Sequence, residues 1–181
     1  MIRTYSYYRS AGSFVRVGTF EYFSSRGDLT AVTRLADYVI ERHYPGCRDK
    51  ANPYLALLET IIQRQAALIV QWMNIGFIHG VTNTDNMSIA GETMDYGPCA
   101  FMDHYAHDQV YSSIDHYGRY AYHNQPNTGA WNLARLAEAL LPLLADNTGA
   151  AVEAAQAALR EYAGHYKRGR LDGMALTWRR R

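Results

Sequence analysis

Two carboxylates and an amide, Asp85, Asn86 and Asp95, stand close together in a stretch otherwise made of small, polar and short apolar residues. A hard divalent cation such as Mg²⁺ takes oxygen ligands from one or two protein groups and completes its shell with water and substrate phosphates. Asn86 and Asp95 supply that kind of oxygen, and their separation of nine positions suits a tight hairpin that brings both to one ion. Asp85 then points another way and is left to act as a base. Each of these residue types also favours turns. Asp85-Asn86 is therefore readable as a capped turn and Asp95-Tyr96-Gly97 as a hairpin bend, and it is their order and spacing together that favour chemistry.

That order is the one found in protein-kinase-like sites: a loop Asp that orients or deprotonates the attacking group, an Asn on metal, and then the metal-binding Asp of D-F-G. Asp95-Tyr96-Gly97 takes the D-F-G place. Protein kinases set the Asn about five positions after the Asp, whereas Asn86 follows Asp85 directly. The adjacency disfavours an ordinary kinase that delivers the γ-phosphate.

The elements that must hold this stretch follow from periodicity and punctuation. Arg3 to Phe23 reads as a strand or two, leading into a turn at Ser24 to Asp28. Asp28 caps a helix over Leu29 to His43, stopped by Tyr44-Pro45-Gly46, and Asn52-Pro53 opens a second that runs to about Ile75 before Gly76. A loop after Gly80 leads to a small hairpin from about Met87 to Met102. Tyr105 to Gln125 reads as irregular with short helical turns, and helices return over Trp131 to Leu144 and Ala150 to Tyr166. Lys167 to Arg181 is basic and thinly apolar, which predicts a frayed tail. The fold class expected is α+β, mainly α. Two parts are expected, a catalytic lobe over 1–166 and a basic tail over 167–181.

Composition sets limits on function. With 48% hydrophobic residues and 18 basic against 17 acidic, the chain is globular, and nothing predicts a nucleic-acid groove or an affinity for anionic membrane. Only Lys50 and Lys167 are lysines, and the rest of the basic set is arginine, suited to bidentate contact with phosphate or carboxylate. Gln65 to Thr84 carries no formal charge, but Gln65, Gln71, Asn74, His79 and Asn83 argue against a membrane span. The N-terminus lacks a secretory apolar run, so a cytoplasmic location is expected. Cys47 and Cys99 show no disulfide or zinc spacing, and His104, His107, His116 and His123 fit no zinc pattern. Cys99 is expected to be a small buried residue. Tyr105, Tyr111, Tyr117, Tyr120 and Tyr122 read as packing beneath the catalytic hairpin rather than as a base-stacking platform.

The run His79-Gly80-Val81-Thr82-Asn83-Thr84-Asp85-Asn86-Met87-Ser88-Ile89, with Asp95-Tyr96-Gly97-Pro98, closely resembles the SelO (YdiU) family of pseudokinase protein adenylyltransferases. Arg16 to Phe23, Gly27-Asp28, Asp115-His116, Gly118-Arg119-Tyr120, Asn124-Gln125-Pro126 and Trp131-Asn132-Leu133 extend the likeness over roughly Arg9 to Leu144. The resemblance implies a protein-kinase-like C-terminal lobe with a small catalytic β-hairpin, the N-terminal lobe largely missing. It further implies ATP bound in reversed pose, with AMP passing to Ser, Thr or Tyr hydroxyls of proteins under Mg²⁺ or Mn²⁺. Asp85 then matches the catalytic base, Asn86 and Asp95 the metal ligands, Asp95 also lying near the nucleotide, and Arg9 and Arg16 the phosphate-contacting arginines. Phe14 stands where the family usually has histidine, and Thr82 where methionine is common. Family members are more than twice this length and begin with a lobe bearing a glycine-rich segment, a lysine and its glutamate partner. A separately encoded N-terminal lobe is thus an expected partner. The alternatives are an inactive truncated fragment, a non-enzymatic remnant, and a γ-phosphate-transferring kinase.

Overall fold

The computed structural model describes residues 11–178; Arg9 and the start of the strand expected from Arg3 lie outside them. Local signals set the first long helices. Asp28 accepts a hydrogen bond from Ala31 N at 2.9 Å and opens α2, Leu29–His43, satisfying one of the N–H groups that a helix start leaves unpaired. Asn52 does the same for α3, Pro53–Ile75, accepting from Leu55 N at 3.0 Å, while its amide nitrogen donates to Leu144 O at 2.7 Å. One side chain thereby ties the start of α3 to the end of α4, Gln125–Leu144. Gly76, at φ 69°, closes α3 in the left-handed conformation that favours glycine.

The expected N-terminal strands are corrected in part. Arg16 is extended and forms an isolated antiparallel bridge with Ser88, but Val17–Ser24 is a helix, α1. Val17 and Phe20, three apart, are fully buried, and Thr19 Oγ1 accepts from Arg16 N at 3.3 Å, so helical spacing and a local cap prevail over the aromatic, strand-like composition.

The small sheet also differs from expectation. Its strands are β1, Phe77–His79, and β2, Cys99–Phe101, paired antiparallel with Phe77 opposite Phe101 and His79 opposite Cys99. Only a single bridge, Met87 to Thr93, lies within the hairpin expected from Met87 to Met102. Phe77, Ile78 and His79 are all buried, so β1 shows no alternation that would have marked it as a strand.

α4 begins earlier than Trp131, at Gln125, with Pro126 in its first turn, where a missing N–H costs nothing. α5 spans Thr148–Trp178, so the part of the expected frayed tail up to Trp178 is helical. The reason is docking on α3: Gly169 faces Val70, Gly173 faces Asn74, and Arg170 donates to the Asn74 side-chain oxygen. Glycine at 169 and 173 removes the side chains that would hold the two helices apart.

The core runs through these helices. Leu57, Leu58, Ile61, Ile62 and Ile69 of α3 meet Leu133, Leu136 and Leu140 of α4, and α5 closes over them with Ala151, Ala155, Ala158 and Tyr162. The architecture is α+β and mainly α, with β1 leading from the end of α3 into the loop that carries Asp85.

Candidate active site

The loop is built from β1 outward. Gly80 N donates to Pro98 O at 2.9 Å, and a Cβ on Gly80 would stand 2.2 Å from that oxygen, so the close approach requires glycine. Thr82 Oγ1 then donates back to His79 O at 2.9 Å. Asn83 caps a short 3₁₀ turn, Thr84–Asn86, by accepting from Asn86 N at 3.1 Å. The Asn86 amide nitrogen donates to Val81 O at 2.8 Å, which fixes its side-chain oxygen as the end left over for another partner. Asp85 is exposed, and its carboxylate lies against Gly18 in the first turn of α1.

Two bridges gather the remaining groups. The Met87–Thr93 bridge sets Asn86 just before one arm of a hairpin and Asp95 just beyond the other. A methyl group on Gly97 would stand 3.9 Å from Val81 Cγ2 and 4.0 Å from Asp95 Oδ1, which puts the segment after Asp95 near Val81. Asp95 is the one non-glycine residue with positive φ, 59°, among the described residues; such backbone costs energy and tends to gather at functional sites. On the other side, Ile89 N donates to Val15 O and Val17 N to Met87 O, both at 3.0 Å, flanking the Arg16–Ser88 bridge. Arg16 is thereby aligned along the loop, and its Nε is buried without a hydrogen-bond partner among the described residues.

Buried side chains from α3, from α4 and from the turn after α2 fix this backbone, and although Gln125 and Asn132 lie in stretches that carry the family resemblance, no such supporting role was legible for any of them in the sequence. Gln125 Oε1 accepts from His79 N at 2.9 Å while its Nε2 donates to Phe77 O at 3.0 Å. Asn132, fully buried on α4, donates to Thr82 O at 3.0 Å. Gln65 of α3 donates to Ser88 O at 2.5 Å, and Tyr44 OH donates to Ile89 O at 2.5 Å. Buried amides with partners this specific hold one loop conformation, because any other leaves them unpaired. Their partners lie far off in sequence, so no local pattern reveals these bonds.

His79 completes the floor. Its Nε2 donates to Met94 O at 2.8 Å, and it lies beside Trp72 with centroids 5.4 Å apart. Burial pushes its pKa below the ordinary value, opposed by the Met94 carbonyl and the Asp95 carboxylate. Its role is structural, as a buried ring whose Nε2 ties down the Met94 carbonyl.

Among the described residues no His, Cys, Asp and Glu cluster of metal-binding size occurs, and none of the helices is long and apolar enough to cross a membrane. His107 and His123 stack at 4.1 Å without a third ligand. The tyrosines divide: Tyr122 is buried and donates to Met73 O, whereas Tyr105 and Tyr117 are exposed. Cys99 is only partly buried, a correction to its expected burial. A cleft of about 660 Å³ between α2 and α3, lined by Tyr44, Lys50, Glu59 and Arg64 among others, includes none of Asp85, Asn86 and Asp95.

Residues 3–176 match the family described as protein adenylyltransferase SelO. The chain is 57% identical over 166 residues to the protein nucleotidyltransferase YdiU of Rhizobium etli (strain CIAT 652), covering 92% of this chain and 33% of that one. It is 59% identical over 167 residues to the YdiU protein of Rhodopseudomonas palustris (strain HaA2), covering 92% and 34%, and 57% identical to that of Rhizobium meliloti (strain 1021), covering 92% and 34%. The chain thus spans about a third of the length of these curated relatives. With the family match extending from before α1 into the last turns of α5, the chain belongs to the SelO protein adenylyltransferase family.

Proposed function

We propose that this chain is the catalytic-loop part of a nucleotidyltransferase that moves AMP from ATP to Ser, Thr or Tyr hydroxyls of proteins. The observation that supports the reading is the pair of bridges, Met87–Thr93 and Arg16–Ser88, which pair the backbone within the stretch that holds Asp85, Asn86 and Asp95 and set Arg16 beside it. The names of the family and of the YdiU relatives support nucleotidyl transfer as the reaction class.

Asn86 and Asp95 fit a hard divalent cation: one side-chain oxygen is the end left over by the Val81 hydrogen bond, and the other belongs to a carboxylate on strained backbone. Mg²⁺ or Mn²⁺ held there supplies charge neutralisation at the phosphates. Asp85 accepts the proton of the attacking hydroxyl, whose oxygen forms a bond to the α-phosphorus. The bond from that phosphorus to the α–β bridging oxygen breaks, and its electron pair leaves with pyrophosphate. Arg16, with its unpaired Nε, neutralises phosphate charge, and Arg9 shares that role in the resemblance. Held groups of this kind lower the barrier mainly by position and charge.

The test is incubation with ATP labelled at the α- or the γ-position, a divalent metal and a protein acceptor. Label from the α-position alone is expected in the acceptor. Label from the γ-position indicates a kinase, and none from either a remnant. Asp85→Asn is expected to lower transfer by about 10²–10⁴-fold, the usual worth of a general base.

A further inference from the structure

We infer that Gly18 is a positioning residue for the Asp85 carboxylate: the absence of a side chain at the second residue of α1 is what lets that carboxylate seat against the helix. The inference rests on Asp85 acting as the base. A Cβ built on Gly18 would stand 2.2 Å from Asp85 Oδ1, 3.1 Å from its Cγ and 3.3 Å from its backbone N. The first distance is too short for any side chain to coexist with Asp85 as it lies, and the second is tight. Neither backbone can retreat easily. On the Gly18 side, Val17 N is bonded to Met87 O at 3.0 Å, and Val17 and Phe20 are fully buried. On the Asp85 side, the turn is capped by Asn83, and Asn86 is tied to Val81. The part that yields is the carboxylate, which is exposed and can turn out into water. Gly18 does not have positive φ; it lies in the first turn of α1 with helical backbone that alanine adopts equally well. Its use is space for Asp85.

Gly18→Ala is expected to keep the fold and the affinity for ATP while turning Asp85 away from its seat. Crystal structures of the unmodified protein and of Gly18→Ala should show the Asp85 carboxylate moved off α1, with α1 and the Thr84–Asn86 turn in place. An unmoved carboxylate overturns the inference. In transfer from α-labelled ATP, kcat should fall by about 10²-fold, the cost of misplacing a reacting group by roughly 1 Å, with KM for ATP unchanged. Gly18→Ala should add nothing to the loss caused by Asp85→Asn. An unchanged kcat, or an equal further loss in the Asp85→Asn protein, overturns it. Failure of the unmodified protein to transfer AMP counts against the proposed function alone, and the crystal structures then decide the role of Gly18. If Gly18→Ala does not fold, Asp85→Ala added to it should restore folding; failure to restore it overturns the inference.

Discussion

Asn86 and His79 use their polar atoms in opposite ways. Asn86 commits its amide nitrogen to Val81 and presents an oxygen, whereas His79 is sealed beneath the loop with Nε2 on Met94 O and Nδ1 buried without a partner. A second proton on His79 would have to enter at that sealed nitrogen. Burial accordingly lowers the pKa from 6.5, and the sign of the linkage follows. Below 6.5 the unfolded chain binds a proton that the folded chain does not, so stability is full above that value, falls as pH drops through it, and levels off below the folded pKa. His43, also lowered mainly by burial, adds to the same trend. The melting temperature should therefore decline between about pH 7.5 and about pH 5.5; a flat or rising profile contradicts the account. Tyr44 gives the opposite limb. Burial pushes its hydroxyl up to about 12 from 10.0, so stability should also fall as pH rises above 10.0.

At the scale of elements, legibility followed the range of the determining contacts. α2 and α3 were readable to the residue because Asp28, Asn52-Pro53 and Gly76 act on their own neighbours. α1 was hidden because its aromatic, strand-like composition masked the helical spacing of Val17 and Phe20 and the cap at Arg16 and Thr19. β1 and β2 were hidden because they pair across the whole loop. For the candidate site, the order Asp85, Asn86, Asp95 was visible, but not the supports on Gln125, Asn132 and Gln65, whose partners are 46–48, 50 and 23 residues away. The junction of α3, α4 and α5 was equally hidden. A Cβ on Gly129 of α4 would stand 2.3 Å from Ile69 Cδ1 and 2.9 Å from the Tyr162 hydroxyl, which donates to Pro126 O. Gly129→Ala gains helix propensity but overpacks a junction fixed from both sides. The expected result is a net loss of about 1–3 kcal/mol, typical of overpacking, seen as a drop in melting temperature of about 2–4 °C per kcal/mol. A rise would mean that the junction yields.

For the whole molecule, the distribution of apolar surface matters most. The helical side is closed by α5, but the side carrying β1 and β2 is not. Phe77 is buried between Tyr96, 67% exposed, and Phe101, 60% exposed, with ring centroids 6.5 and 5.3 Å away. Tyr105, Ile114 and Tyr117 are exposed farther along the same segment. Exposed aromatics sharing a neighbour, as Tyr96 and Phe101 share Phe77, mark a surface that is covered in use or that associates when left open. A formal charge of +1 offers little repulsion against association. The chain should therefore self-associate with rising concentration, shown by light scattering coupled to size exclusion. Phe101→Ser with Tyr96→Ser should shift it toward monomer without lowering the melting temperature, since both rings lie mostly in solvent while Phe77 keeps Trp72 at 5.6 Å. A monomer at every concentration would show that this surface is not adhesive, and association unchanged by the double substitution would assign the contact to another face.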